Sequence, residues 1–175
     1  MSASRKGIIL AVLQLAIVAS LAAKYAIDRA RFPRVWARTA VYDPDLPIRG
    51  RYLSVQLRVD GDRVYGNSEA PKGQFNSWSE MRDIELHAEN GRLVASLSPT
   101  PTGLRVTRWK TRTGEVITAL SEPVDFFLPE HAVDPSWRKA GEELWVEVTV
   151  PKKGPPRPIR LAVKRGETFT PLEIK

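Results

Sequence analysis

The chain has 175 residues, with 27 Lys and Arg against 20 Asp and Glu, and it contains no Cys. Its length suits one globular domain, and the absence of Cys excludes a disulfide framework, a thiolate nucleophile and Cys-ligated zinc or iron–sulfur clusters. Residues 1–38 hold seven basic groups and one acidic group, whereas residues 39–175 hold twenty and nineteen. The remainder of the chain therefore lacks the basic excess of a nucleic-acid-binding domain, and we expect no nucleic-acid partner.

An apolar run near the beginning of the sequence predicts a membrane span. Gly7 to Ala23 are seventeen consecutive residues without a charge. As a helix they would cover roughly 26 Å of a hydrocarbon core that is roughly 30 Å thick. Extension to Ile27 supplies the missing length, with the ammonium of Lys24 reaching back to the headgroups. We expect a basic cytoplasmic tail at 1–6, a transmembrane signal anchor at 7–27, a juxtamembrane linker at 28–34, and the lipid bilayer as a partner.

Two questions about this span stay open in the sequence. Ser20 and Ala22 are small residues at the two positions that a signal peptidase recognises, so cleavage after Ala22 is one alternative. The apolar run is long for a signal peptide and contains no helix breaker before Pro33, which favours a retained anchor. Arginines after the span favour a cytoplasmic domain, whereas the basic residues before it fit a signal anchor whose downstream domain is translocated. We expect a single-pass protein of the cytoplasmic (inner) membrane with an extracytoplasmic, periplasmic C-terminal domain.

After Pro33 the sequence changes to short alternating runs separated by Pro, Gly, Asn and Asp, which is typical of an all-β domain. Tyr52–Val59 alternates most clearly, and Asn90-Gly91 between two apolar runs predicts a hairpin with a type I′ turn. We expect a single β-rich domain at 35–175, an antiparallel barrel or sandwich. Further strands are predicted at Val35–Tyr42, Leu104–Thr111, Glu115–Leu120, Val124–Leu128, Leu144–Val150, Ile159–Val163 and Thr170–Ile174.

Three connecting segments carry local signals. Asp134-Pro135 predicts the start of one or two helical turns, since Asp caps a helix and Pro fits its first turn. Lys152–Pro158 is predicted to be an exposed hairpin loop because Pro lacks the N–H that a central strand needs. Asp60-Gly61-Asp62 is interpreted as a two-residue turn, because the further oxygen ligands of a calcium loop are missing.

A motif lies at the start of the first clear strand. Asp43-Pro44 is followed by Arg49-Gly50-Arg51-Tyr52 and then by Val55 and Leu57. This segment resembles the signature of the GDYXXLXY family of bacterial membrane-anchored proteins, Gly-Asp-Tyr-x-x-Leu-x-Tyr, which an Asp-Pro and an Arg-Gly usually precede. Arg51, Val55 and Leu57 depart from the signature. The Arg at position 51 removes any role that needs a carboxylate there.

A second segment, Phe126 to Glu130, is similar to the family's aromatic-x-Pro-Glu sequence. The resemblance implies a single-span protein with an extracytoplasmic β domain, often encoded beside or fused to polytopic membrane proteins, and no established activity. It also implies a structural or partner-binding role for Asp43, Pro44, Arg49, Gly50, Tyr52, Pro129 and Glu130. The structural role is the simpler interpretation, because turn residues beside a strand need no ligand to explain them.

No catalytic, cofactor or metal site is predicted. The two histidines, His87 and His131, are 44 positions apart, and no Gly-x-Ser-x-Gly elbow marks a nucleophile. Neither His belongs to a metal-spaced pair, and no Gly-rich phosphate loop occurs. We expect a non-catalytic accessory or interaction module for an integral membrane partner, such as a polytopic protein. The alternative is a membrane-anchored hydrolase or peptidase with a site assembled from scattered polar residues.

One basic stripe stands out in the β region. Alternation along the predicted strand sends Arg108, Lys110 and Arg112 to one face, with Trp109 between them in the sequence. Such a face suits anions, lipid headgroups or a partner, although a solvated sheet face is the more common outcome.

Overall fold

The computed structural model describes residues 3–40, 52–66, 68, 70, 82–129, 135 and 139–173. The chain divides into two compact units, Met1–Phe32 and Pro33–Lys175. The predicted helical turns after Asp134-Pro135 lie almost entirely outside the described residues.

The first unit is one helix, α1, at Ala3–Arg31. It contains the predicted span and continues through most of the predicted linker at 28–34, because the first helix breaker after Lys24 is Pro33. Arg29 and Arg31 occupy its last turn, where positive charge stabilises the helix by interacting with its dipole. The segment Arg5–Arg31 is long and apolar enough to cross a membrane, by length and composition.

The second unit is mostly β-sheet, so the predicted all-β class is confirmed. Its described residues form a short helix, α2, at Asp62–Tyr65 and the strands β1 Arg34–Arg38, β2 Tyr52–Val55, β3 Arg82–Glu89, β4 Arg92–Leu97, β5 Arg105–Lys110, β6 Val116–Leu120, β7 Val124–Phe127, β8 Glu142–Thr149, β9 Arg157–Arg165 and β10 Thr168–Pro171. The strands build three antiparallel sheets, ordered β1-β8-β9-β10, β4-β3-β5-β6 and β2-β7.

The hairpin predicted at Asn90-Gly91 is confirmed. β3 and β4 pair from Ile84 opposite Leu97 to Glu89 opposite Arg92. The two turn residues have φ angles of 49° and 74°, which is the left-handed region that a type I′ turn requires. Local turn chemistry therefore determines the register of this hairpin.

Residues 56–60 connect the three sheets after β2 ends. Backbone N–H groups of this segment donate to β1, then to β6, then to β4, at N···O distances of 2.9, 3.0 and 2.8 Å. The donors and acceptors are Arg58 and Arg38, Val59 and Thr118, and Asp60 and Leu93. Because β4 and β6 are the two edge strands of one sheet, that sheet is curved enough for both of its edges to contact residues 56–60. Among the described residues these bridges are isolated, and no continuous ladder closes a barrel.

A single hydrophobic core lies between the sheets. Its fully buried members come from every sheet and from the connecting segment, and the largest are Leu57, Ile84, Leu144, Leu161, Val55, Val106, Val146 and Val148. The alternation predicted for Tyr52–Val59 is confirmed, because each alternate residue from Leu53 to Val59 is buried. A smaller cluster of Ala40, Ile117 and Ala119 packs against Trp109.

Two local predictions were wrong. Asp60-Gly61-Asp62 does not form a simple two-residue turn but leads into α2, and Asp60 Oδ1 accepts the N–H of Asp62 at 3.2 Å. A Cβ on Gly61 would lie 2.6 Å from Thr118 Cγ2, so close approach to β6 requires glycine there. Pro158 is not in a loop but in β9, opposite Val148 and next to a β-bulge. Glu147 and Val148 pair with Arg160 and Pro158, so Ile159 is an extra residue in β9, and a bulge is a position where a strand tolerates Pro.

Candidate interaction surfaces

The structure describes two of the seven motif residues. Asp43, Pro44, Arg49, Gly50 and Glu130 lie outside the described residues, whereas Tyr52 begins β2 and Pro129 is half-buried just after β7.

Tyr52 lies beside the second segment of the resemblance. β2 pairs with β7 so that Tyr52 is opposite Phe127, and the two rings meet edge to face at 5.6 Å between centroids. Both side chains are 54% exposed. On the same face, the Ser54 hydroxyl donates to the Asp125 carboxylate. This small sheet thus presents an aromatic pair and a polar pair outward.

The predicted basic stripe is divided by its surroundings. Arg108 lies in β5, where its guanidinium is 5.6 Å from the centre of the Tyr65 ring and donates to the Ser68 carbonyl at 3.0 Å. Lys110 ends the strand and Arg112 follows it in the turn, and both are exposed. The three cations are therefore not one uniform face, because Arg108 is held by α2 and the residues after it.

A serine and a histidine meet on the β3–β4 hairpin. His87 Nε2 and Ser96 Oγ are 3.0 Å apart, and both residues are half-buried. Glu89, two positions from His87 on the same strand, accepts two guanidinium N–H bonds from Arg63 at 2.7 Å each. The hydrogen bond from Arg63 lowers the pKa of the Glu89 carboxyl below 4.5. His131, the other histidine, is outside the described residues.

A cluster of three aromatic rings was not predicted from the sequence. Phe169 of β10 contacts two indoles edge to face, with centroid distances of 4.8 Å to Trp36 of β1 and 6.1 Å to Trp145 of β8. These rings lie on the side of the sheet opposite the core, since their strand neighbours Val35 and Leu144 are buried core residues.

Cations flank these rings. The Arg160 guanidinium is 5.9 Å from the Trp36 ring centre and its Nε is 2.7 Å from Glu147 Oε2, which raises the pKa of Arg160. The Lys164 ammonium is 5.6 Å from the Trp145 ring centre. We call Trp36, Trp145, Phe169, Arg160 and Lys164 the aromatic face.

The sequence contains a signal for this face, but only in fragments. Alternation places Trp36, Trp145 and Lys164 outward on their own strands. Nothing in the sequence states that these strands are neighbours, because β1 and β8 are separated by more than one hundred residues. Ala162, which lies opposite Trp145, is fully buried although it is not part of the main core cluster.

Within the described ranges, no group of three or more His, Cys, Asp or Glu side chains is placed to hold a metal ion. No protein-family model matches the chain, and no curated protein or solved structure shows significant similarity to it. The resemblance to the GDYXXLXY family stays a prediction. Inference about function therefore rests on the geometry above.

Proposed function

We propose that the chain is a single-pass membrane protein whose β unit is a non-catalytic interaction module for an integral membrane partner. The supporting observation is the combination of an apolar helix of spanning length with a β unit that exposes the Tyr52–Phe127 pair. Aromatic side chains are enriched in the cores of protein interfaces, where they bury large areas at low entropic cost. The motif residue Tyr52 is part of this pair, which agrees with the partner-binding role that the resemblance implies.

The β unit is placed on the extracytoplasmic side of the inner membrane in this proposal. Basic residues before the span fit a signal anchor, and long downstream domains are translocated despite charged flanks. Fusions of alkaline phosphatase and of a fluorescent protein after Lys175 test the orientation. We expect phosphatase activity and no fluorescence, and the reverse result would overturn the periplasmic placement.

The partner-binding role is tested by quantitative co-purification from mild detergent. We expect Tyr52→Ser with Phe127→Ser to reduce the recovery of a specific membrane protein by tenfold or more, about the effect of losing one to two interface anchors. Leu97→Ser is the matched control, since Leu97 is also about half exposed but lies on β4. Equal recovery with both variants would remove this pair from the interface.

A hydrolase is the second candidate, and the Ser96–His87 hydrogen bond is the observation that favours it. A serine nucleophile needs a base held by a third group and free N–H donors for the oxyanion. Here Glu89 is occupied by Arg63, Ser96 is paired in the strand ladder, and the N–H of Ala95 donates to Asp60. The arrangement therefore favours a structural hydrogen bond.

A fluorophosphonate probe separates the two candidates. Labelling of the wild-type chain that disappears in Ser96→Ala would establish an activated serine and favour the hydrolase. We expect no labelling in either protein. A control substitution, Ser98→Ala, removes a hydroxyl from the same strand end without touching His87.

A further inference from the structure

We propose that the aromatic face rests on the anionic headgroup layer of the membrane that α1 spans. This inference depends on the proposed membrane anchoring and specifies what covers the outer side of the β1-β8-β9-β10 sheet. It does not depend on the Tyr52–Phe127 pair, which lies on a different sheet.

The rings of this face are not required to fill the core. Val35, Leu144, Val146 and Leu161 already fill the inner side of the same strands. The outer rings contact one another edge to face, the two indoles are partly buried, and Phe169 remains 37% exposed. Partly buried indole and phenyl rings suit the boundary between headgroups and acyl chains, which tryptophan prefers.

The charges of this outer side suit a layer of lipid phosphates, because the cations Arg38, Arg160 and Lys164 outnumber the carboxylates Glu143 and Glu147. Glu143 accepts the Trp145 indole N–H at 3.1 Å and lies 2.9 Å from the Arg38 guanidinium, whereas no carboxylate of the described residues lies within ion-pair distance of the Lys164 ammonium. Arg160 shares its guanidinium between Glu147 and the Trp36 ring. A Lys or Arg beside an anionic leaflet strengthens association by about fivefold, and cations next to interfacial rings combine both attractions.

Chain connectivity limits how far Trp36 can lie from the end of α1. Only Phe32 and Pro33 separate the last residue of α1 from the first residue of β1. Trp36 follows Arg31 by five residues, so their Cα atoms cannot be further apart than roughly 18 Å. The headgroup region beside the hydrocarbon core is roughly 5–8 Å thick. This short connection therefore allows Trp36 to reach the lipid surface when α1 spans the bilayer.

The test uses the full chain in nanodiscs of phosphatidylcholine, with and without phosphatidylglycerol. Single-tryptophan proteins keep Trp36, Trp145 or, as the matched control, Trp109 of the other four-stranded sheet, with the remaining tryptophans changed to Phe. The readout is the ratio of fluorescence quenching by shallow brominated lipid to quenching by aqueous acrylamide. We expect a severalfold higher ratio for Trp36 and Trp145 than for Trp109, increasing with phosphatidylglycerol. Lys164→Gln should lower that increase by up to about fivefold at Trp145.

Hydrogen exchange is measured on the wild-type chain, which keeps all its tryptophans. This second readout holds even if the single-tryptophan variants fail to fold. We expect slower exchange in β9 and β10 in anionic nanodiscs than in detergent, with β3 and β4 unchanged. Equal quenching ratios at the three tryptophans, or ratios that do not change when phosphatidylglycerol is added, would overturn the proposal. If alkaline carbonate extracts the protein from the bilayer, the anchoring and this inference are both overturned. If the protein stays in the bilayer but the quenching ratios of the three tryptophans are equal, this inference alone is overturned.

Discussion

The hairpins β3–β4 and β8–β9 carry similar residues on the inner sides that face the core and different residues on their outer sides. Both bury aliphatic residues inward, with Ile84 on the first hairpin and Leu144 on the second. Outward, the first carries the polar pair His87 and Ser96, and the second carries Trp145 beside Lys164. The core restricts the inner sides to apolar residues, whereas the outer sides are free to differ. Differences in function between these hairpins should therefore lie in their outer side chains.

The largest expected effect tests whether the inner sides are equivalent. Leu144→Ala and Ile84→Ala each delete a fully buried side chain from the same core. We expect each to lower the free energy of unfolding by about 2–5 kcal/mol. Urea unfolding followed by tryptophan fluorescence measures this loss. A loss below about 1 kcal/mol at only one position would show that the hairpins do not share one core.

The next prediction contrasts the outer sides. Ala162→Leu adds volume at a fully buried position opposite Trp145 of the aromatic face, and we expect a loss of about 1–3 kcal/mol. Glu85→Leu on the exposed outer side of β3 is the control and should change stability by less than about 0.5 kcal/mol. Similar small effects at both positions would mean that the rings do not pack as a unit.

The turn of the polar hairpin supplies a smaller effect. Gly91 has a φ angle of 74°, and a Cβ added to it would have no other atom within 4 Å. Gly91→Ala should therefore cost about 1–2 kcal/mol through backbone strain alone. Asn90→Gly relaxes the same turn and should leave the urea midpoint nearly unchanged. A neutral Gly91→Ala would show that the turn adopts another conformation.

The smallest effect concerns acid stability at the end of the polar hairpin. The hydrogen bond from Arg63 lowers the pKa of Glu89 below 4.5, so its stabilisation is present above that pH and is lost as pH falls through the lower folded value. Glu89→Gln should reduce the fall of the urea midpoint between about pH 6 and about pH 3. Glu167→Gln, in the exposed β9–β10 turn, is the control. An unchanged pH dependence in Glu89→Gln would mean that the pair does not persist in solution.

Local signals predicted much of the fold. The Asn90-Gly91 turn, the alternation of Tyr52–Val59 and most strand positions follow from patterns within ten residues of chain. The short helix α2 was missed because its four residues carry no periodic signal. Pro158 was misassigned because a strand tolerates Pro beside a β-bulge, and the bulge at Ile159 exists only in the pairing of β9 with β8.

The candidate surfaces were less predictable than the strands. The resemblance drew attention to Tyr52 and to the segment after Phe126, but only the pairing of β2 with β7 brings Tyr52 next to Phe127. The Ser96–His87 contact, by contrast, follows from the register of the β3–β4 hairpin, which the Asn90-Gly91 turn sets. Sequence patterns indicate which way a side chain faces, and they do not indicate which other strand it will meet.

The sequence by itself determined an apolar helix of spanning length, a nearly neutral β-rich remainder and the inward side of most strands. These properties follow from composition and from periods of 3.6 and 2 residues, which are local. The tertiary structure alone decided that β1 pairs with β8, that β2 pairs with β7 and that residues 56–60 join the sheets. Those contacts join residues far apart in the chain, and the shared core selects them by packing.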